Sequence, residues 1–466
     1  MAVRHTATGW WLEEAGRVRP RPPLEDDVRA DVAIVGGGYT GMWTAWFVKE
    51  LEPGADVVLL EAGQCGTGPS GRNGGFVNAM WFSLPSMRRR FGDGPALELA
   101  RAAKEAVRSV GSWCEEERVD AWYRRAGYIQ ASTAPAHDDA CREAANACRE
   151  LGVTDACRTL TEGEVRERCD SPLFRGAAIY PDAATVQPAR LARGLRSRLI
   201  ERGISVFEGS RAEPVRPPGG DLSLATGSGR VRARSVILAS GAALAGRRPL
   251  SRRLTVTSSH MVITEPVPEV LEEIGWTGGE CITDSRHLVH YFRTTPDGRI
   301  AFGWGGGRVV PGARLDGRAE VDPRIAAEVA GHLVRVFPQL AGRSIEHAWG
   351  GPIDVSPTHI PMVGALDSGR VHFACGYTGN GVGPSHLVGR VLASLALDRR
   401  DAPTRLALVE PPDVRVPPEP LRYVGGTIVR AALVRRERLE EERRQPDPVT
   451  RFVAGLPERM GIHVGR

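Results

Sequence analysis

The chain has 466 residues, 42% hydrophobic and 25% charged, with a net charge of +5 at pH 7. This is the composition of an ordinary globular protein with a sizeable core, which excludes a disordered or fibrous chain. The charge is small for the length and no basic face interleaves with aromatics, so no nucleic-acid partner is expected; no apolar run reaches eighteen residues, so no membrane span is expected. Almost all the basic residues are Arg, with Lys49 and Lys104 the only lysines. The eight cysteines form no CxxC pair, which disfavours zinc and dithiol redox chemistry, and no metal site is expected. The opening MAVRHTATGWWLEEAG carries no apolar signal core, so a reduced, cytoplasmic protein is expected.

Residues 1–29 are rich in Pro and Arg and read as an irregular lead-in. Val32–Val35 then form an apolar, β-branched run closed by Gly36, Gly38 and Gly41, which reads as a buried strand and a G-x-G-x-x-G turn. Residues 42–50 lack Gly and Pro and read as the following helix, whose N-terminus offers amides to a phosphate. A second strand, DVVLLEAG at 56–63, presents Glu61 twenty residues after Gly41, where a ribose hydroxyl needs an acceptor. Strand, glycine turn, helix, strand and acid make a βαβ dinucleotide site. The six glycines of 63–78 predict a loop. Helical periodicity follows at 95–118, 136–151 and 162–168. An amphipathic helix spans 188–203, with Pro188 in its first turn and Gly203 at its end. Residues 204–212 and 232–242 read as strands. Residues 253–265 and 287–304 read as antiparallel strands, with TPDGR at 295–299 as a hairpin turn. Residues 322–341 read as helix, and 370–397 as strand, glycine loop and helix. The charged helix at 430–444 reads first as a solvated or packed terminal helix, with a membrane-surface or partner role as the alternative.

The phrases DVAIVGGGYTGMWTAW, VVLLEAGQCGTGPSGRNGGFVN, VQPARLARGL, VILASGA, HYFRTTPDGRIAFGWG, WGGPIDVSPTHIPMVG and ACGYTGNGVGPSHLVGRVLA occur in that order. Together they resemble the FAD-dependent D-amino-acid-oxidase superfamily, and are most similar to its γ-glutamylputrescine oxidoreductase branch, over about residues 5–450. The resemblance implies an α/β fold: a glutathione-reductase-like, Rossmann-type FAD-binding domain with an inserted α+β substrate domain on an antiparallel sheet. The expected boundaries are 28–90, 150–245 and 346–400 for the FAD domain, 91–149 and 246–345 for the substrate domain, and 401–466 for a C-terminal extension. It implies oxidation of a C–H bond beside an amine nitrogen by hydride transfer to FAD, with hydrolysis of the imine and oxygen as the usual acceptor. The alternatives are a dehydrogenase with another electron acceptor, and a flavin-binding subunit without turnover.

For the cofactor, Gly36, Gly38, Tyr39, Thr40, Gly41, Glu61 and Ala62 fit the ADP half of FAD. Ser70, Gly71, Arg72, Asn73, Gly74 and Gly75 form a donor-rich loop for phosphates and ring edge. Ala212 falls where the family contacts adenine, and Ala239 and Gly241 match the strand end that closes over the dinucleotide. Gly376, Gly379, Asn380, Gly381 and Val382 form a second glycine loop before an apolar helix. The cysteine that tethers the flavin in sarcosine oxidases falls near Gly351 and no histidine lies in the first loop, so non-covalent FAD is expected. The lysine that promotes reaction with oxygen falls near Ala301, and the one that anchors a substrate carboxylate near Gly383; the latter favours an amine over a simple amino acid. Tyr291 and Arg293 alternate with His290 and Phe292 on one strand, and one of these pairs is expected to face the flavin. The catalytic candidates are Tyr291, Arg293 and His260, with Trp304 and Trp349 as apolar walls; Asp354 and His359 carry no assigned chemistry.

Overall fold

The computed structural model describes residues 3–215, 222–312, 314–315, 317–366, 369–411 and 413–464. Five parallel strands build the nucleotide-type sheet, in the order Val371–Cys375, Arg230–Leu238, Val28–Val35, Val57–Leu60 and Ser205–Phe207. Strand Val57–Leu60 is buried throughout, as a parallel strand covered on both faces must be. The helix after the first glycine turn runs Tyr39–Leu51, and the helix after the second runs Val382–Ala396. They pack side by side because Gly389 leaves room for the backbone of Trp43 and Thr44. An α/β domain with a Rossmann-type core is what the glycine pattern predicts.

A ten-stranded sheet forms the second layer. Its order runs Arg4–His5, Ile345–Val355, Thr255–Thr264, Ile300–Trp304, His290–Thr294, Cys281–Asp284, Tyr128–Ser132, Gly176–Tyr180 and Arg158–Leu160, with Val309–Val310 beside Thr255–Thr264. The hairpin around 295–299 is present, with Thr295 N–H and Arg299 O closing the turn. Helix Pro323–Val336 covers one face of this sheet and buries Ile325, Val329 and Leu333 there.

Several segments differ from the sequence reading. The lead-in holds strand Arg4–His5 and helix Trp10–Glu14, because Trp10, Trp11 and Leu12 bury themselves against Met261, Ile263 and Trp349. The glycine-rich stretch 63–78 is not all loop: it contains helix Pro69–Arg72 and strand Phe76–Asn78, which pairs with Ala183–Thr185. Strands Arg158–Leu160, Gly176–Tyr180 and Ile345–Val355 lie in the ten-stranded sheet, so the expected boundaries at 150 and 346 assign them to the wrong layer. The terminal helix starts earlier than 430, at Leu421, and runs to Glu441. It is packed: Arg286 and Arg335 pair with Glu441, and Leu288 N–H donates to Glu437.

Candidate active site

Both glycine turns open into one cavity of about 1720 Å³ between the two sheets. An ordinary small-ligand site occupies roughly 300–1,000 Å³, so this space suits a dinucleotide together with a second, smaller molecule. At one end, Gly36 turns with φ 113°, a conformation that favours glycine, and a methyl group there would sit 2.5 Å from Ala239 O. The turn lets the two central strand ends meet. The first bond inside the helix is Met42 N–H to Gly38 O at 3.0 Å, so the amides before it have no helical carbonyl to reach. Tyr39 N–H donates to Ser70 Oγ at 2.9 Å. Glu61 accepts from Gly37 N–H and Gly63 N–H, each at 2.7 Å, and its carboxylate keeps lone pairs for a hydroxyl.

The second turn joins the first through side chains: the Thr40 hydroxyl and Tyr377 OH lie 2.7 Å apart. Helix Val382–Ala396 begins its bonding at Ser385 N–H to Gly381 O, so its N-terminal end also presents positive dipole to the cavity. Asp354 accepts from Gly376 N–H at 2.5 Å and fixes this turn; burial raises its pKa to about 6.

Gly36, Gly38, Tyr39, Thr40, Glu61, Ala62, Ser70, Arg72, Asn73, Gly74, Ala212, Ala239, Gly241, Gly379, Asn380, Gly381 and Val382 border the cavity. Four expected cofactor residues do not. Methyl groups at Gly41, Gly71 and Gly75 would overlap the carbonyl oxygens of Gly36, Gly66 and Val186, and one at Gly376 would meet Ser356 Cβ at 2.7 Å. These glycines allow backbone to approach backbone. Arg72 is tied down although it borders the cavity: its guanidinium donates to Ala7 O at 2.7 Å and pairs with Glu320 at 2.9 Å. Asn73 accepts from Gly75 N–H and donates to Pro69 O and Ser70 O, which holds the loop in shape.

Of the catalytic candidates, only Tyr291 borders the cavity. Its ring lies over Gly303 and Gly74 and its hydroxyl is 2.8 Å from Ser259 Oγ. Ser259 Oγ donates to Trp304 O at 3.0 Å, so the Tyr291 hydroxyl is the donor to Ser259. Burial pushes the Tyr291 pKa up to about 12, which keeps it a neutral hydrogen-bonding group. Arg293 shares the strand face of Tyr291 but lies beyond the cavity. It donates to Val186 O and Thr294 O at 3.1 Å for the latter, and stacks 5.6 Å from the Trp11 ring centroid. His260 is on the wrong face of its strand: Thr255, Thr257, Ser259 and Met261 border the cavity, and His260 alternates with them. It bonds Ser258 Oγ at 3.1 Å, and burial lowers its pKa to about 4. Trp349 borders the cavity and donates to Arg72 O, whereas Trp304 is a core residue that donates to Leu288 O.

Sequence reasoning missed three parts of the wall. The Thr255-x-Thr257-x-Ser259 alternation of small polar residues carries a readable period-2 signal. His287–Val289 and the terminal helix, through Arg422, Gly425, Gly426, Val429, Arg430 and Leu433, carry none. The spacing of the helix residues fits one face, but nothing local says what that face covers. Among the described residues no group of His, Cys, Asp and Glu has the arrangement to hold a metal ion, and no helix is long and apolar enough to cross a membrane.

The model of the FAD dependent oxidoreductase (DAO) family matches residues 31–395. Gamma-glutamylputrescine oxidoreductase of Escherichia coli K12 is 29% identical over 403 residues, which is 84% of this chain and 89% of that protein. The probable oxidoreductase OrdL of Rhizobium meliloti is 29% identical over 437 residues, 91% of this chain and 94% of that protein. The crystal structure of glycine oxidase from Geobacillus kaustophilus superposes with a TM-score of 0.66 at 21% identity, covering 80% of this chain and 96% of that one.

Proposed function

Since the chain belongs to the family of FAD dependent oxidoreductases, which act on CH–NH or CH–NH2 groups, we propose that it oxidises the C–N bond of an amine of the γ-glutamylputrescine type to an imine, which water then hydrolyses. The observation that carries this reading is the single cavity that takes in both glycine turns and the Tyr291–Ser259 face. Bound FAD supplies the hydride acceptor for such a reaction. The residues present fit that cofactor. The N-terminus of helix Tyr39–Leu51 would hold its pyrophosphate and Glu61 would accept from its ribose. The N-terminal amides of helix Val382–Ala396 favour negative charge at the ring end. With no cysteine or histidine at the positions where relatives tether theirs, FAD would be held without a covalent bond.

Tyr291 and Ser259 orient the amine. The Tyr291 oxygen donates to Ser259 and has lone pairs left to accept from a substrate N–H. Oxygen is the proposed electron acceptor. The one observation that favours a dehydrogenase instead is Ala301, which stands where related oxidases carry a lysine and is fully buried beside Trp10 and Trp11.

An anaerobic visible titration of the purified yellow protein with γ-glutamylputrescine, putrescine, sarcosine and glycine tests the reading. Bleaching near 450 nm by the amines and not the amino acids is expected; bound flavin that no amine bleaches would sink it. Admission of air then separates the acceptors, since an oxidase regains colour and releases peroxide.

A further inference from the structure

Among the described residues six arginines border the cavity: Arg72, Arg211, Arg247, Arg314, Arg422 and Arg430. Three are neutralised, Arg72 by Glu320 at 2.9 Å, Arg247 by Glu213 at 2.8 Å and Arg422 by Glu419 at 2.7 Å. Arg211 and Arg314 are exposed to solvent. Arg430 is different: it is half-buried in the wall and forms no ion pair with a described residue. Its Nε donates to Gly306 O at 2.8 Å and to Gly307 O, and its guanidinium lies 5.6 Å from the Trp304 ring centroid. These contacts fix the plane of the group and leave both terminal nitrogens as donors. Leu288, Val289 and Leu433 border the same cavity. Burial is the main cause that holds its pKa below the ordinary arginine value, with Glu328 and Asp322 opposing from beyond ion-pair distance and Arg308 assisting. A half-buried guanidinium with no described carboxylate in ion-pair contact is costly, and a planar pair of N–H donors matches a carboxylate. Gly306, which accepts from Arg430, lies three residues beyond Gly303, over which the Tyr291 ring sits, so the Cα atoms of these two glycines are at most about 11 Å apart.

We propose that Arg430 determines specificity by binding a carboxylate carried by the amine substrate at a distance from the reacting C–N bond. The cavity then takes N-acylated diamines whose acyl part bears a carboxylate in preference to uncharged acyl diamines. The proposal rests on the amine-oxidation reading above and deepens it. The C-terminal extension, not the sheet, supplies the selecting charge.

The test uses two ligands that differ only in the carboxylate: N-glutarylputrescine and its primary amide. Anaerobic calorimetric titration of the holoenzyme measures binding, and steady-state kinetics then divides KM from kcat. The wild type is expected to bind the acid at least about tenfold more tightly than the amide. In Arg430→Gln that ratio falls to near one, mainly through KM, and Arg430→Lys keeps part of it. Flavin content and Tm report whether each variant is folded. An acid-to-amide ratio near one in the wild type overturns the proposal even if Arg430→Gln fails to fold, as does a ratio that persists in a folded Arg430→Gln. Acid that binds through Arg430 but is never oxidised sinks the amine-oxidation reading and leaves the carboxylate site standing. Oxidation of both ligands with no preference does the reverse.

Discussion

Gly41 faces the carbonyl of Gly36 with no space for a side chain between them. A methyl group there cannot be absorbed by a flexible neighbour, because the neighbour is backbone. Overpacking of this kind typically costs about 1–3 kcal/mol, and here it also pushes the helix N-terminus out of line with the turn. Gly41→Ala is therefore expected to lower Tm and to purify with little flavin, read from the ratio of 450 nm to 280 nm absorbance. Tyr291→Phe probes the other end of the cavity. Ser259 keeps its bond to Trp304 O, so the fold should survive with little change in Tm. Losing one hydrogen bond worth about 0.5–1.5 kcal/mol should lower kcat/KM roughly two- to twelvefold for the best amine. At this scale the glycine turn was legible because every part of it is local: apolar strand, spaced glycines and Glu61 lie within about thirty residues. Arg293 and His260 were not, because a strand's twist and the choice of face are settled by the sheet around it. Period 2 puts Tyr291 and Arg293 on one side without saying that Trp11 and Val186 claim the second.

The helix Leu421–Glu441 is held by its acids. Glu441 bridges Arg286 at 2.5 Å and Arg335 at 3.2 Å, while Glu437 is buried against Leu288 N–H. Burial is the main cause that raises the Glu437 pKa to about 7, with Arg286 and His137 opposing and Asp284 assisting. The folded protein thus keeps a proton that the unfolded chain releases near pH 4.5. Its contribution to stability is present below that pH and is lost as pH rises to about 7, after which it is flat. Glu437→Gln retains an acceptor for Leu288 N–H and has no proton to lose. The Tm difference between Glu437→Gln and the wild type should therefore grow in the variant's favour from pH 5 to pH 7.5; a difference that stays constant or shrinks across that range would refute the assignment. Elements with their own punctuation were readable, such as the hairpin at 295–299 and the Pro188-to-Gly203 helix. Strand Ile345–Val355 was not. Its Gly350-Gly351-Pro352 centre is made of residues that disfavour strands, yet they pair with Ser258–His260 because the neighbouring strand overrides local preference.

The cavity belongs to the whole molecule, since the nucleotide sheet, the ten-stranded sheet and the C-terminal extension each contribute wall. A ligand that fills it bridges all three, so FAD should stabilise the entire chain. Protein stripped of flavin is expected to melt at a lower temperature and to recover on addition of FAD, by about 2.7 kcal/mol at a concentration one hundred times Kd. A Tm indifferent to FAD would count against a cofactor site of this extent. The order of the parallel sheet has a further consequence, which concerns the ribosome. Strand Val371–Cys375 completes the sheet beside Arg230–Leu238, yet it is made about 340 residues after Val28–Val35. At 5–20 residues per second that is a wait of roughly 20–70 s. Through that interval the first glycine turn exists without its partner turn, and the nascent chain has no closed site to load. Cofactor capture is thus expected only after the last parallel strand has left the exit tunnel.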